Sequence, residues 1–223
     1  MEKLQRIKEI VKKEMEGLGP SHDFSHVMRV YKLCCFLGKY EKSVDLEVLK
    51  IAALLHDIGR KKEDLDKTGK IDHAIESAKM AEKILRRLRF SKEKIEKIKE
   101  CIISHRFKTN LKPMTIEAKI LSDADKLDVM GAIGIVRSCC WLGENMAKIW
   151  GAIPLSVYKK ENLTKERRIK DKSKHALNIE YETKLKYIQK RLFTKKAKEI
   201  AKERAKFMKE FFKQLEKEIK GKI

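Results

Sequence analysis

The chain has 223 residues, of which 42% are hydrophobic and 39% are charged, and its 54 Lys and Arg against 33 Asp and Glu give a formal net charge of +21. The hydrophobic share is large enough for a folded core, and the low counts of Gly (10) and Pro (3) argue against collagen-like, linker-like and turn-rich β architectures. The length predicts one domain or two small ones, at roughly 100–200 residues per domain.

Three features of the sequence bear on the compartment. No stretch approaches the roughly 18 uncharged apolar residues that span a bilayer, and the first 16 residues mix acidic and basic side chains without the apolar run of a secretory signal. The 5 cysteines include two adjacent pairs and no Cys-x-x-Cys motif, so they fit neither a disulfide framework nor a zinc ribbon. We therefore expect a cytoplasmic, reduced protein without a membrane partner.

Nearly every apolar pattern in the first two-thirds of the chain has helical spacing. The pattern at 44–58 is apolar almost all round, which predicts a central buried helix, and Thr115 is a candidate N-cap for a later one. Four glycines lower the helix propensity after residue 130, so that 133–150 is expected to be broken or tightly packed. The helical stripes cover 27–37, 44–58, 71–88, 95–102 and 115–127.

The last third carries most of the basic excess, with 23 Lys and Arg against 10 Asp and Glu in 159–222. Within it, 159–174 has only Leu163 and Ile169 as apolar residues, which predicts an exposed basic loop. Helical spacing resumes at 181–191. A long helix is expected after Thr194, with an inward face formed by Ala197, Ile200, Ala201, Phe207, Met208, Phe211 and Phe212. The sequence thus predicts an all-α protein with no convincing strand.

Side chains that can bind a metal lie on these apolar stripes, on four separate helices. One such residue alone is more often a core histidine or a helix cap, but a buried carboxylate is costly unless it is paired, hydrogen-bonded or metal-bound. Imidazole and carboxylate together favour a borderline divalent cation such as Mn, Fe, Ni or Zn. Gly59 is expected to break the helix, so that two contiguous ligands can reach one ion. The residues are His26, His56, Asp57, His105 and Asp125.

The order of these motifs resembles the HD-domain superfamily of metal-dependent phosphohydrolases, in its HDIG form. The second motif is His56-Asp57-Ile58-Gly59, and the third is Asp123-Ala124-Asp125-Lys126-Leu127-Asp128. The run Gly131-Ala132-Ile133-Gly134-Ile135 and the pattern from Thr194 to Met208 are similar to the small, single-domain nucleotide pyrophosphohydrolases. The resemblance extends from about Met1 to Ile223. It implies one HD helical bundle with an additional C-terminal helical region: a core at about 20–150, the basic loop 159–174 and helices at about 180–219.

The resemblance also implies roles for individual residues. The metal ligands would be His26, His56, Asp57 and Asp125, holding a divalent cation for which Mn is favoured and Mg, Fe, Ni, Co and Zn are alternatives. Asp57, Glu63 and Asp64 would be catalytic, the last two by positioning the attacking water, although solvated carboxylates are the alternative interpretation. Substrate contacts would come from His22, Arg60, His73, His105 and Lys126.

Two of these roles stay open. For His73 and His105, contact with substrate phosphate is favoured over ligation of a second ion bridged by Asp57. His73 lies beside the stripe at 71–88 rather than on it, so a partly exposed polar residue is the alternative interpretation for this position.

The resemblance implies hydrolysis of a small phosphorylated metabolite, most naturally cleavage of a nucleoside triphosphate to the monophosphate and pyrophosphate. The alternatives are an HD phosphodiesterase or ribonuclease, and a basic RNA-binding protein suggested by the charge of +21. Few aromatic residues interleave the basic ones, and no RNA-binding motif is present, so nucleic acid is not the favoured partner. The oligomeric state is left open.

Overall fold

The computed structural model describes residues 2–66, 68, 70–106, 111–164 and 168–222, and within them it is all-α. The predicted fold class is confirmed: over these ranges there are two isolated bridges but no strand. No helix in the described part of the chain has both the length and the apolarity to cross a membrane. The helices are α1 (Glu2–Glu14), α2 (Phe24–Leu37), α3 (Leu46–Leu55), α4 (Arg60–Leu65), α5 (His73–Arg87), α6 (Lys92–Ser104), α7 (Ile116–Asp128), α8 (Gly131–Glu144), α9 (Leu155–Asn162), α10 (Leu177–Thr183) and α11 (Lys195–Ile219).

The chain packs as two compact units. The first consists of Met1–Lys126 together with Leu192–Ala197, and the second of Leu127–Arg191 together with Lys198–Ile223. Every residue predicted to bind metal or substrate lies in the first unit. The expectation of one domain over the whole chain stays a prediction.

Helix α3 is the centre of the first unit, as the apolar run at 44–58 predicts. Asp45 caps it by accepting hydrogen bonds from the backbone N–H groups of Glu47 and Val48. Its apolar side chains from Val48 to Leu55 are at most 1% exposed, and each Leu or Ile buried this fully contributes about 1.5–3 kcal/mol. Helices α1, α2, α5 and α6 pack around it. The helix is shorter than predicted, because it ends at Leu55 and leaves His56 and Asp57 in the turn that follows.

Gly59 is required in this turn for a reason other than the predicted one. Its φ of −86° is accessible to any residue, so it does not act as a left-handed helix cap. A Cβ at this position would lie 2.7 Å from the backbone nitrogen of Ser77 and 3.0 Å from the carbonyl oxygen of His73. The Gly59 N–H also donates to Ser77 Oγ at 2.9 Å. The absent side chain therefore allows α5 to approach the turn closely.

Helix α7 starts after Thr115, whose Oγ1 accepts from the N–H of Ala118 at 3.2 Å, as predicted for an N-cap. Farther along, the fully buried Asp123 accepts hydrogen bonds from the N–H groups of Phe193 and Thr194 and from the Thr194 hydroxyl, at 2.7–2.9 Å. Burial raises the pKa of Asp123. This carboxylate thus fixes the segment Leu192–Ala197 within the first unit.

The second unit bears on three of the sequence expectations. For 133–150, tight packing is confirmed at Gly134, where a Cβ would lie 2.3 Å from the backbone of Val129, while helix α8 runs unbroken up to Glu144. The predicted loop 159–174 is exposed at most of its described residues, but its first residues belong to α9, and its Asn162 is buried and hydrogen-bonded to the backbone of Asp171. Phe207, expected to face inward, is 51% exposed on α11.

Alanine substitutions at two separate glycines test whether Gly59 is needed for the close approach of α5 to the turn after α3. In Gly59→Ala, the new methyl group has to displace backbone atoms of α5, so we expect a loss of about 1–3 kcal/mol in the free energy of unfolding. Gly143→Ala adds a methyl group in α8 that meets no atom within 4 Å outside its neighbours in the chain and the local helix backbone, and we expect a gain of up to about 1 kcal/mol from helix propensity. Urea unfolding followed by circular dichroism measures both. Equal effects of the two substitutions would contradict the packing explanation.

Candidate metal centre

Four histidines and two aspartates of the first unit converge at helix ends. His26 lies in the first turn of α2, which Asp23 caps by accepting from the N–H groups of Ser25 and His26. The turn after α3 supplies His56 and Asp57, which are 0% and 4% exposed. The remaining members are His73 at the start of α5, His105 directly after α6 and Asp125 in α7.

The predicted ligand set is brought together. His26 Nε2 is 3.5 Å from Asp57 Oδ2 and 3.6 Å from Asp125 Oδ1. His56 Nε2 is 3.3 Å from His26 Nε2 and 3.9 Å from Asp57 Oδ2. Asp125 therefore faces His26, whereas Asp123, the other acidic residue of its motif, is used to hold residues 193 and 194.

Two of the histidines are oriented by their own helices. The Nδ1–H of His56 donates to the carbonyl of Ala53 at 2.8 Å, and that of His105 donates to the carbonyl of Ile102 at 2.5 Å. Each ring thus carries its hydrogen on Nδ1, and its Nε2 presents a lone pair to the centre. This is the tautomer that binds a metal through Nε2.

His73 faces the other oxygen of Asp57. Its Nε2 is 3.3 Å from Asp57 Oδ1, and His105 Nε2 is 3.7 Å from the same atom. On the far side of the ring, Nδ1 lies 2.6 Å from Glu63 Oε2. His73 is only 5% exposed, so the alternative interpretation as a partly exposed polar residue is wrong. The sequence missed this because His73 is the first residue of its helix and lies off the apolar stripe.

Burial favours the neutral form of His56 and His73. It lowers the pKa of His56 to about 4, and burial together with the nearby Arg60 guanidinium lowers the pKa of His73. Among the described residues, the buried Asp57 Oδ1 has no hydrogen-bond partner. The centre therefore places an acidic oxygen beside the inward lone pairs of His56 and His105.

This donor set fits divalent cations. In the described part of the chain, two overlapping groups have ligand atoms within 4.8 Å of one another: His26, His56 and Asp57 form one, and Asp57, His73 and His105 form the other. Asp57 belongs to both, one oxygen facing each group. A cation satisfies a buried carboxylate and neutral imidazoles at once, which no neutral ligand does.

The other predicted site residues have varied surroundings. Arg60 Nη1 is 2.7 Å from Glu63 Oε2 and 2.9 Å from His73 Nδ1. The buried Lys126 donates to the hydroxyl and carbonyl of Ser122.

His22 and Asp64 lie farther from the two ligand groups. The His22 ring is 6.3 Å from that of His26, and its Nδ1 is 2.8 Å from Ser21 Oγ. Asp64 lies on the exposed side of α4, next to the partly buried Glu63.

Sequence reasoning missed Arg106. Its guanidinium donates to Glu63 Oε1 at 2.8 Å and also to Asp72. Arg106 follows the end of α6, so no helical periodicity points to it. Its position directly after His105 is the one signal that could have drawn attention to it.

Comparison with known proteins agrees with this picture. The family model of the HD domain matches residues 23–130, a range that contains all the residues of the centre. In sequence, the chain is 28% identical over 158 residues to YpgQ of Bacillus subtilis, covering 68% of this chain and 72% of YpgQ.

Solved structures resemble nearly the whole chain. The crystal structure of Bacillus subtilis YpgQ in complex with ADP has a TM-score of 0.71 at 25% identity, covering 97% of this chain and 95% of that one. The Lin1889 protein of Listeria innocua has a TM-score of 0.70 at 29% identity, covering 98% and 96%. A predicted HD superfamily hydrolase from an uncultured Thermotogales bacterium has a TM-score of 0.64 at 27% identity, covering 96% and 92%.

Metal content tests the centre directly. In Asp57→Asn, one neutral amide replaces the carboxylate shared by both ligand groups, so we expect protein purified without chelator to lose most of its bound divalent metal. Because a bound ion stabilises only the folded state, chelator should lower the melting temperature of the wild type and leave that of Asp57→Asn nearly unchanged. Elemental analysis and thermal unfolding measure the two effects.

The matched control is Asp171→Asn, an exposed carboxylate of the second unit, which should retain the wild-type metal content. Equal metal in Asp57→Asn and the wild type would refute the centre.

Proposed function

We propose that this chain, whose residues 23–130 match the model of the HD domain family, is a metal-dependent phosphohydrolase that cleaves a nucleoside triphosphate to the monophosphate and pyrophosphate. The observation that carries the proposal is the buried Asp57 carboxylate with imidazole groups on both sides. Cleavage of a nucleotide at phosphorus needs concentrated positive charge next to the phosphate oxygens. A divalent cation bound by this set of donor atoms would supply that charge.

We propose His26, His56, Asp57 and Asp125 as ligands of one divalent cation. Mixed nitrogen and oxygen ligands favour a borderline ion, of which manganese is our first choice, with Mg, Fe, Ni, Co and Zn as alternatives. A bound ion of this kind lowers the pKa of a coordinated water and offsets negative charge at phosphorus.

For His73 and His105, ligation of a second cation is better supported than contact with phosphate. An imidazole with its hydrogen on Nδ1 has only a lone pair at Nε2, and a lone pair cannot donate a hydrogen bond to a phosphate oxygen. His105 has this form through Ile102, and the nearby Glu63 carboxylate favours it in His73. Asp57, which belongs to both ligand groups, would then be shared by the two ions.

Two similarities to other proteins, one in structure and one in sequence, support a nucleotide as the substrate. YpgQ, which matches 97% of this chain in structure, was crystallised in complex with ADP. The sequence pattern after Asp125 is similar to that of the nucleotide pyrophosphohydrolases. The proposed contacts of His22, Arg60 and Lys126 with substrate are best tested as changes in KM, because none of them would remove a metal ligand.

Turnover of one nucleoside triphosphate tests this function. We expect Asp57→Ala to lower kcat by at least about a thousandfold, which corresponds to roughly 4 kcal/mol of barrier, because the ion that activates water is lost. Lys213→Ala, which removes an exposed charge of α11, should change turnover less than about twofold, since exposed charges act through a screened field. Chromatography of the products, with manganese and with chelator, measures both.

Turnover that persists in chelator would contradict the mechanism. A folded protein that binds metal but cleaves none of the nucleoside tri-, di- and monophosphates or cyclic nucleotides would show that the proposed substrate class is wrong. Binding to generic RNA that weakens steeply with salt would instead favour the nucleic-acid alternative.

A further inference from the structure

Glu63 is held on both of its carboxylate oxygens. Oε2 lies 2.6 Å from His73 Nδ1 and 2.7 Å from Arg60 Nη1, and Oε1 accepts from Arg106 Nη2 at 2.8 Å. Arg106 is itself fixed by a second ion pair with Asp72, the N-cap of α5. Three of the roughly four acceptor positions of this carboxylate are therefore used within the protein.

This arrangement decides which nitrogen of His73 carries the hydrogen. An unprotonated Nδ1 only 2.6 Å from a carboxylate oxygen would place two lone pairs against each other, so Nδ1 carries the hydrogen and donates it. The Nε2 atom, which faces Asp57 Oδ1 at 3.3 Å, is then free of hydrogen. Arg60 Nη1, at 2.9 Å from the same Nδ1, would stabilise the opposite tautomer if Glu63 did not outcompete it.

We propose that Glu63 is a positioning residue for His73, clamped by Arg60 and Arg106, and that it does not position the attacking water. Its action is to keep the His73 Nε2 lone pair directed at the cation site. The proposal rests on the proposed function only in taking His73 as a metal ligand. It assigns Arg106 to the same task, acting through Glu63.

The Glu63→Gln variant removes the charge and keeps the volume. If the amide oxygen faces His73, the amide NH₂ group opposes the donors of Arg106. If the amide is reversed, NH₂ faces Nδ1. In the reversed orientation Nδ1 has to accept from the NH₂ group, and in the first orientation the neutral amide oxygen competes less well than a carboxylate with the Arg60 guanidinium for Nδ1. The hydrogen therefore shifts towards Nε2, where it blocks ligation. We therefore expect manganese binding at one class of sites to weaken by about 10–100-fold, the usual effect of losing a group that orients a metal-binding histidine.

The experiment titrates the full-length chain with Mn²⁺ and counts free ions by electron paramagnetic resonance. In parallel, ¹⁵N-histidine spectra of the chelator-treated chain report the tautomer of His73, identified from His73→Gln. The wild type should have the hydrogen on Nδ1, and Glu63→Gln should have it partly or wholly on Nε2. Glu76→Gln is the matched control, since this α5 carboxylate pairs with the half-exposed Lys62 instead, and it should change neither readout.

Arg106→Gln provides an independent test if Glu63→Gln folds poorly. It should weaken the same class of manganese sites, and combining it with Glu63→Gln should add little, because residues that act through one contact are not additive. Wild-type manganese affinity and an unchanged His73 tautomer in Glu63→Gln would overturn the proposal. Since neither readout uses a nucleotide, the proposal can hold even where the substrate class fails.

Discussion

The structure depends on how an acidic side chain is kept inside a helical core. Asp57 is 4% exposed, and burying a carboxylate without compensation costs several kcal/mol or more. Four imidazoles and Asp125 surround it, and the described residues leave its Oδ1 without a hydrogen bond. A divalent cation would offset this cost, so we expect folding and metal binding to be coupled in the first unit.

Hydrogen bonds at the ends of α3 and α6 orient two of the candidate ligands, His56 and His105. The last carbonyl groups of a helix lack partners within the helix, and His56 and His105 each satisfy one of them, three residues earlier in the chain, with Nδ1–H. One hydrogen bond thus serves the helix terminus and fixes the metal-binding tautomer. His73, at the start of α5, has no such carbonyl to use, and Glu63 takes its place.

The features that could be predicted from the sequence are those that the helical spacing of apolar residues reveals. The all-α class and the burial of α3 could be inferred from apolar residues at helical spacing, and His26, His56 and Asp125 could be suspected because they are polar on apolar stripes. His73 and Arg106 could not be found this way, since they lie at helix ends, where the stripe gives no signal. The tight contact at Gly59 depends on where α5 packs, which local sequence does not encode.

Anchoring an imidazole to its own helix has a consequence for ionic radius. A ring tied through Nδ1 to a carbonyl of the same helix cannot swing independently to follow a larger or smaller ion. His56 can adjust to a different ion only if α3 moves with it, and His105 only if α6 does. These helices pack against each other through fully buried side chains, and close-packed interiors resist such shifts. We therefore expect the packing of α3 against α6, as well as the chemistry of the ligand atoms, to set the preference of this candidate centre among divalent ions.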